Sequence, residues 1–364
     1  MAPGLEPLQL TTRPAGTVFA TILHGAWSSG KAIAPVNPQL PTPQLPARMP
    51  GEALAVIFTS GTTGEPRPVA LTRANFEASA RAFADAFGMS RTDRWLCCLP
   101  VFHVGGLSIF TRCALYGSAV YAEPGFDAER VKEILEAGEV SVVSLVPTML
   151  QRLREAGLER APGVRGILLG GGPIPDGLLG WSREVGLPVM PTYGMTETCS
   201  QVATAEPGQR LARPLPGAEI RIADDGEILV RGPMVAADGW LHTGDRGRLT
   251  ADGLLEVEGR MDDVIVTGGE NVAAREVEAA LLDHPQVADA AVIGVEDPEW
   301  GRAVTAFAVA DASAEDLLAH CRARLAAFKV PKRIVLLDEL PRTAAGKVAR
   351  ASLESRAHDL RQGR

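Results

Sequence analysis

The chain has 364 residues with 46% apolar content, and its 36 Lys and Arg against 44 Asp and Glu give a formal net charge of −8. That length accommodates two or three domains, and the apolar content is ordinary for a globular protein. The acidic balance argues against a broad nucleic-acid-binding surface, so we expect no nucleic-acid partner. No apolar run reaches the roughly 18 residues of a transmembrane helix, so none is expected.

The cysteines and the first ten residues bear on the compartment. Five cysteines, an odd number without a C-x-x-C pair, favour reduced structural thiols over disulfides or a zinc site. The stretch from Met1 to Leu10 carries no basic residue ahead of an apolar core, which is not typical of a signal peptide. The sequence therefore predicts a cytoplasmic protein.

The first part of the chain alternates between apolar strands and amphipathic helices. A proline-rich segment from Pro35 to Pro50 cannot be helical and is predicted to run extended. The alternation that follows predicts a layered α/β fold with largely parallel strands. The predicted elements are strand 53–58, helix 74–87, strand 95–99, helix 127–137, strand 141–146, helix 148–155 and strand 166–169.

After Pro214 the pattern changes twice. Short strands at 219–222, 227–231, 247–250 and 254–258, separated by Asp-Gly turns, predict a small β-rich subdomain before Arg260. The remaining hundred or so residues predict a compact α+β domain. Its elements are strand 264–266, helix 274–282, strands 287–295 and 304–309, helix 314–325 and strand 333–337. We predict an N-terminal domain over 1–260 and a C-terminal domain over 261–364.

A loop of hydroxyl groups and glycines follows strand 53–58. Glycines allow a ligand to approach the backbone, and free N–H groups with hydroxyls form a nest for an anion. The pattern is not a Walker loop, because no Gly-Lys-Ser/Thr follows at the required spacing. It predicts a polyphosphate site, with an ordinary turn as the alternative. The predicted phosphate ligands are Thr59, Ser60, Gly61, Thr62, Thr63, Gly64 and Arg67.

Four further segments occur in a fixed order with this loop. They read Tyr-Gly-Met-Thr-Glu at 193–197, Thr-Gly-Asp at 243–245, Gly-Arg-Met-Asp-Asp at 259–263 and Pro-Arg-Thr-Ala-Ala-Gly-Lys at 341–347. Together with the loop they resemble the adenylate-forming superfamily of acyl- and aryl-CoA synthetases, luciferases and peptide-synthetase adenylation domains. The resemblance implies ATP, Mg²⁺ and CoA as ligands, a large N-terminal domain and a small mobile C-terminal domain.

The resemblance also assigns a nucleotide site. Tyr193 would lie against the adenine ring, with three glycines on the other face. Asp245 would accept both ribose hydroxyls, and Arg260 would reach nucleotide oxygens as a planar cation. The predicted residues are Gly170, Gly171, Gly172, Tyr193, Gly194, Asp245 and Arg260.

Three residues are expected to carry the chemistry. Glu197 would hold Mg²⁺ through its carboxylate, and Thr196 would offer a hydroxyl to the α-phosphate. Lys347 would neutralise the charge that develops when a carboxylate attacks the α-phosphorus. Taken alone, Lys347 could equally be a solvated surface lysine and Glu197 a helix-start carboxylate.

The second half-reaction needs a rearrangement of the two domains in such enzymes. The resemblance implies that Asp262 is the hinge, because hinges concentrate backbone changes in a few residues between rigid elements. Gly268 and Gly269 would line the path of the CoA pantetheine arm.

The sequence departs from the family in two places. The phosphate loop usually ends Lys-Pro-Lys-Gly, whereas Arg67 and Pro68 stand here. Only 58 residues precede Thr59, and the segment from Gly30 to Pro38 resembles a piece usually found much further upstream. This predicts a shortened N-terminal subdomain, whose apolar surface loops or a second copy in a homo-oligomer would have to cover.

Two stretches bear on the acid that is activated, namely 99–108 and 193–201. Both resemble o-succinylbenzoate–CoA ligases of menaquinone biosynthesis, which implies an aromatic carboxylic acid as substrate. The predicted acyl pocket comprises Phe102, His103, Arg112 and Ser200. His103 could instead be a core histidine, and Arg112 a surface salt-bridge residue. The alternatives for the whole chain are another aryl- or medium-chain acyl-CoA synthetase and a catalytically silent regulatory homologue.

Overall fold

The computed structural model describes residues 9–39, 43, 52–60, 66–342 and 348–361. The helices in this part of the chain are α1 Thr17–Ser28, α2 Arg73–Phe87, α3 Val104–Tyr116, α4 Ala128–Glu136, α5 Pro147–Glu155, α6 Asp176–Glu184, α7 Ala274–Leu282, α8 Ala314–Arg324 and α9 Arg350–Arg361. All five predicted helices are confirmed, as α2, α4, α5, α7 and α8.

The strands of the described residues confirm all of the predicted strands and add eight. They are β1 Gln9–Thr11, β2 Ile33–Pro35, β3 Ala53–Ser60, β4 Pro66–Thr72, β5 Arg94–Cys97, β6 Ala119–Ala122, β7 Val142–Leu145, β8 Gly166–Leu169, β9 Val189–Met195, β10 Ser200–Ala205, β11 Ala212–Pro214, β12 Glu219–Ile222, β13 Glu227–Arg231, β14 Leu241–Leu249, β15 Leu255–Arg260, β16 Val264–Thr267, β17 Glu270–Ala273, β18 Val287–Asp297, β19 Gly301–Ala310 and β20 Arg333–Leu336. The proline-rich segment begins at the end of β2, and most of it lies outside the described residues.

An eleven-stranded sheet forms the centre of the molecule, in the order β12-β13-β14-β15-β11-β10-β9-β8-β7-β5-β6. The strands from β6 to β9 are parallel, as predicted for an α/β layer. From β9 to β12 every pairing is antiparallel. The strands of the predicted β-rich subdomain therefore extend the central sheet. In the β10–β11 hairpin, β10 pairs with β9 of the parallel half and β11 pairs with β15 of the antiparallel half.

Two smaller sheets flank the central one. In the first, β1, β2 and β3 are parallel and β4 returns antiparallel along β3. The other sheet has the order β17-β16-β19-β18, with β20 parallel to β19. The central sheet ends with β15 and the C-terminal sheet begins with β16, so the predicted boundary between residues 260 and 261 lies between two sheets. That boundary stays a prediction.

The strand β5 shows how the layers arise from the sequence. Alternate side chains of a strand point to opposite faces of its sheet. Trp95 and Cys97 accordingly join one buried cluster with α1, α2 and α3, whereas Leu96 and Cys98 join another with α4, α5 and α6. Apolar side chains therefore lie on both faces of β5, which explains why such strands read as continuous apolar runs.

Helix α1 packs against α3 of the N-terminal domain. It buries Phe19, Leu23 and Ala26, and the Phe19 ring lies 5.1 Å from that of Phe110 on α3 in an edge-to-face arrangement. Val18, on the same helix, remains 59% exposed. A second copy that covers the remaining apolar surface stays a prediction. No helix in the described ranges is both long and apolar enough to cross a bilayer.

The packing of α1 predicts a large difference between two neighbouring substitutions. Phe19→Ala should lower the free energy of unfolding by about 3–5 kcal/mol, because it leaves a cavity in a fully buried position. Val18→Ala should change it by less than about 0.5 kcal/mol, as expected for an exposed site. Urea unfolding followed by tryptophan fluorescence measures both. Equal effects of the two substitutions would show that α1 does not pack as described.

Candidate active site

Three of the predicted nucleotide residues meet at one carboxylate. The Tyr193 hydroxyl donates to Asp245 Oδ2 at 2.9 Å, and Arg260 Nη1 donates to Asp245 Oδ1 at 3.2 Å. The pairing of β14 with β15 puts Asp245 directly opposite Arg260. Burial and the charge of Asp245 raise the pKa of Tyr193, so its hydroxyl remains a donor at neutral pH. Each carboxylate oxygen keeps a second lone pair with which it can accept a further hydroxyl.

The Thr-Gly-Asp triplet has a local structural reason. The Thr243 hydroxyl donates to Ile228 O at 2.7 Å and accepts from Asp245 N at 3.0 Å, which fixes Asp245 on its strand. Gly244 has φ +68°, and an added Cβ would lie 2.9 Å from Arg260 Nη2. A side chain at Gly244 would therefore displace the guanidinium that pairs with Asp245.

The glycine run at Gly170, Gly171 and Gly172 lies at the end of β8, beside β9. Gly170 N donates to Leu145 O at 3.2 Å, so the run leaves the sheet from between β7 and β9. Because β9 carries Tyr193, the run and the tyrosine occupy neighbouring strands. Ligands of open α/β sheets bind at this end of the strands.

A tight turn joins β9 to β10 and carries the predicted catalytic pair. Thr196, Glu197 and Thr198 form one turn of 3₁₀ helix, which ends in Cys199 at φ 52° and Ser200 at φ 87°. Within the described residues these are the non-glycine positions with positive φ. Such backbone strain persists only where the surroundings hold it, and it concentrates at functional sites.

Gly194 makes the turn possible. An added Cβ would lie 2.1 Å from Ser200 O and 2.6 Å from Gln201 Cα, so β10 lies directly against the glycine. The Thr198 hydroxyl accepts from Met195 N at 2.8 Å and lies 2.6 Å from Ser200 O, which closes the turn on itself. These contacts fix the backbone from which Thr196 and Glu197 project.

Arg112 lies under this turn, and it is only 1% exposed. Its Nη1 donates to Gln201 Oε1 at 3.1 Å and its Nη2 donates to Ser79 Oγ at 3.0 Å. Ser79 in turn donates to Cys199 O at 2.9 Å. The guanidinium carbon lies 4.8 Å from the centre of the Phe83 ring. The alternative of a surface salt-bridge residue is therefore wrong, because α3 turns this side chain into the core.

No carboxylate pairs with the Arg112 guanidinium among the described residues, and its Nε has no hydrogen-bond partner. Burial lowers the pKa of Arg112 to about 10, so the group stays charged at neutral pH. A buried charge without a counter-ion is costly, and the hydrogen bonds to Gln201 and Ser79 and the contact with the Phe83 ring offset part of that cost.

The other predicted acyl-pocket residues lie at the start of α3. His103 is the residue before the helix, its ring centre lies 4.8 Å from that of Phe102, and its backbone N–H donates to Pro100 O. His103 is half-buried rather than enclosed in the core. The same helix carries Arg112 two turns further on.

The predicted phosphate loop lies at the tip of a hairpin. Thr59 Oγ1 donates to Arg67 O at 3.3 Å across the β3–β4 pair, and Ser60 lies opposite Pro66. Because β4 is an edge strand, Pro68 is tolerated there. The four remaining predicted ligands, Gly61, Thr62, Thr63 and Gly64, lie outside the described residues.

The C-terminal domain carries the predicted hinge, CoA and lysine positions. Asp262 lies in a 3₁₀ turn, Met261–Asp263, between β15 and β16. Gly268 and Gly269 form the β16–β17 turn, where Gly268 N donates to Trp300 O at 2.9 Å. Arg342 and Val348 pair as a β-bridge. Lys347 lies outside the described residues, just before that bridge closes.

Two sets of residues next to the site were not predicted from the sequence. Ser79 follows Phe76 and precedes Phe83 on the apolar stripe of α2, and a hydroxyl in such a stripe is the signal that could have revealed it. In the C-terminal domain, Arg350 pairs with Asp263 at 3.1 Å and with Glu278 at 3.0 Å. This second set ties the start of α9 to the turn that contains Asp262.

Comparison with known proteins agrees with this geometry. Residues 44–238 match the family model described as AMP-binding enzyme, and residues 276–347 match the AMP-binding enzyme C-terminal domain. The first match alone spans more than half of the chain. The chain belongs to the AMP-binding enzyme family. The resemblance to adenylate-forming enzymes and the mixed α/β fold with a smaller C-terminal domain are thereby confirmed.

Curated relatives in this family include the 2-succinylbenzoate–CoA ligase of Listeria monocytogenes. It is 40% identical over 325 residues, which cover 83% of this chain and 70% of the relative. The corresponding ligase of Bacillus licheniformis is 42% identical over 334 residues, with the same two shares of 83% and 70%.

The o-succinylbenzoate CoA synthetase (MenE) of Bacillus subtilis has been solved in several states. Its complex with the acyl-adenylate intermediate is 34% identical and covers 95% of this chain and 88% of its own, with a TM-score of 0.87. The complex with ATP and magnesium ion has 33% identity, the same shares and a TM-score of 0.85. A double mutant bound with the product analogue OSB-NCoA is 41% identical over 83% of this chain and 69% of its own, with a TM-score of 0.56.

The packing at Gly194 predicts that one methyl group disables this AMP-binding enzyme. Gly194→Ala should lower the rate of acyl-adenylate formation about 100-fold or more, since the turn must shift by about 1 Å to accept the Cβ. Gly125→Ala is the matched control, because an added Cβ there meets nothing within 4 Å. Carboxylate-dependent pyrophosphate release measures both variants, with thermal unfolding recorded in parallel. Wild-type activity in the Gly194 variant would contradict the close approach.

Proposed function

We propose that this chain is an ATP-dependent o-succinylbenzoate–CoA ligase of menaquinone biosynthesis. In the first half-reaction a carboxylate oxygen of the acid attacks the α-phosphorus of ATP, and pyrophosphate leaves. In the second half-reaction the CoA thiol attacks the acyl carbon, and AMP leaves as the thioester forms. The names of the relatives and the clusters described above both support this reaction.

The observation that carries the choice of acid is the 40% identity with a 2-succinylbenzoate–CoA ligase over 83% of the chain. o-Succinylbenzoate has a second carboxylate that takes no part in the reaction, and the buried positive charge of Arg112 would stabilise it from within the core. A fatty acid or a simple aryl acid brings no second charge and would leave the cation uncompensated. This favours the dicarboxylate over the aryl- and medium-chain alternatives.

The nucleotide would be held at the carboxyl ends of the parallel strands β8 and β9 of the central sheet. We assign the adenine to the space between Tyr193 and the glycine run, the ribose hydroxyls to Asp245, and nucleotide oxygens to Arg260. The pairing of Asp245 with Tyr193 and Arg260 orients its carboxylate before any ligand arrives, which reduces the ordering cost on binding. Retention of this cluster argues against a catalytically silent homologue.

Magnesium fits Glu197 together with the substrate. Among the described residues no cluster of three His, Cys, Asp or Glu side chains could hold a metal ion by itself. Mg²⁺ is commonly bound by one or two carboxylates and the phosphates of the substrate, so the half-buried Glu197 is sufficient on the protein side. When bound, the ion would neutralise phosphate charge, while the neighbouring Thr196 hydroxyl would donate to the α-phosphate.

The remaining assignments concern the mobile parts and the environment of the enzyme. We assign Lys347 to the first half-reaction, Asp262 to the hinge, and Gly268 and Gly269 to the pantetheine path. A cytoplasmic location is part of the proposal, supported by five free and buried cysteines. A homo-oligomer is part of the proposal as well.

The choice of acid predicts a specific change in selectivity. Wild-type enzyme should prefer o-succinylbenzoate over benzoate, octanoate and 4-coumarate in kcat/KM for pyrophosphate release. Arg112→Met should reduce the ratio of kcat/KM for o-succinylbenzoate to that for benzoate by about tenfold or more, the usual worth of a hydrogen bond to a charged group. A general loss of folding lowers both values and leaves the ratio unchanged. Arg112→Lys, which keeps the charge, should retain part of the ratio.

Another acid outperforming o-succinylbenzoate in the wild-type enzyme would refute the choice of substrate. An unchanged ratio in Arg112→Met would refute the role of Arg112 alone.

The assignment of Lys347 predicts a split between the half-reactions. Lys347→Ala should abolish carboxylate-dependent pyrophosphate release, yet spare the reaction of preformed acyl-adenylate with CoA, because an interaction used in one transition state affects only that step. Lys329→Ala, which changes another lysine of the C-terminal domain, should leave both rates near wild type. A Lys347 variant slowed equally in both steps would contradict this role.

A further inference from the structure

An aspartate of the C-terminal domain caps a helix of the N-terminal domain. Helix α6 begins at Asp176, and the residue before it, Pro175, makes no side-chain capping bond. Asp283 Oδ1 instead accepts a hydrogen bond from Gly177 N at 3.0 Å. The first turn of a helix leaves N–H groups unsatisfied and carries partial positive charge, so a carboxylate is favourable there. The partner that meets this need is 106 residues away in sequence.

Both ends of this contact belong to defined elements. Asp283 is the residue that ends α7, so its position follows the C-terminal sheet against which α7 packs. Helix α6 directly follows the segment that begins with the glycine run at the end of β8. The contact therefore links the C-terminal domain to the segment that we assign to adenine.

The other ion pairs next to the hinge do not cross between the domains. Asp263 pairs with Arg275 and Arg350, and all three residues follow Asp262 in the chain. A rotation at Asp262 would leave those pairs intact, whereas it would separate Asp283 from Gly177. The described arrangement has TM-scores of 0.87 and 0.85 with the acyl-adenylate and ATP complexes of the Bacillus subtilis synthetase, but 0.56 with its OSB-NCoA complex.

We propose that Asp283 is a positioning residue for the first half-reaction, and that its cap on α6 latches the two domains in the arrangement that forms the acyl-adenylate. The latch opens before the thioester forms. This inference rests on the proposed two-step function. The carboxylate touches neither substrate nor reacting atoms, and it acts by favouring one domain arrangement over the other.

Separate measurement of the two half-reactions tests the latch. Asp283→Ala should slow single-turnover pyrophosphate release about two- to tenfold, the range for one exposed capping hydrogen bond. It should leave unchanged, or accelerate, thioester formation from preformed o-succinylbenzoyl-adenylate and CoA. Asp283→Asn keeps an acceptor oxygen, so its rate of pyrophosphate release should lie between those of the wild type and Asp283→Ala. Asp311→Ala, which removes an exposed carboxylate from the same domain, should match wild type.

An engineered disulfide provides a readout that does not depend on rates alone. A Cβ added at Gly177 would lie 3.3 Å from Asp283 Oδ1, and this proximity makes Gly177→Cys with Asp283→Cys the pair to test. Each thiol loses one electron and one proton to the added oxidant, diamide, as the S–S bond forms. The oxidised protein, identified by its altered gel mobility, should keep pyrophosphate release and lose thioester formation, and dithiothreitol should restore the latter.

Three results would overturn the latch: equal slowing of both half-reactions in Asp283→Ala, no slowing of either, or normal thioester formation in the oxidised double variant. Failure of the proposed function is distinguishable, because the wild-type enzyme would then release no pyrophosphate with o-succinylbenzoate. In that case the cross-link yield still reports whether Gly177 and Asp283 meet in solution.

Discussion

The close approach of β10 to β9 at Gly194 is the constraint on which the site depends. It turns the chain back at the edge of the parallel strands, and everything beyond it in the central sheet is antiparallel. Because the two strands meet without a side chain between them, the turn that carries Thr196 and Glu197 is short and strained. One packing contact thus sets both the topology of the sheet and the position of the predicted catalytic pair.

The same turn explains why a charged side chain lies in the core. Desolvation of the Arg112 charge without hydrogen-bond partners would destabilise the folded protein by several kcal/mol. Ser79, Gln201 and the Phe83 ring each offset part of that cost, and two of these partners hold the turn itself or the strand after it. The Arg112 guanidinium thus links α2, α3 and β10 beneath the turn that carries Thr196 and Glu197.

Much of the fold was predictable because its signals are local. Apolar runs bounded by turns revealed β5, β7 and β8, and the periodicity of α2 and α7 fixed those helices within a residue. Helix α6 was missed for a physical reason: it contains Gly177 and Gly180, and its cap comes from Asp283 in another domain. Sequence motifs identified the candidate site residues, but they did not identify the residues that hydrogen-bond to them. Nothing in a linear sequence joins Ser79 to Cys199, because their contact spans 120 positions.

The ion pairs of the C-terminal domain show how one small domain could serve two half-reactions. Arg350 begins α9, directly after the segment that contains Lys347, and it pairs with Asp263 beside the predicted hinge and with buried Glu278 on α7. Burial raises the pKa of Glu278, whereas the Arg350 charge and the Val292 N–H favour its ionised form. Loss of Arg350 as partner would leave the Glu278 carboxylate buried and unpaired, which is costly, so these elements should move as one rigid body. If Asp262 is the hinge, as we propose, backbone change is confined to its turn, and contacts with the N-terminal domain decide which arrangement is populated.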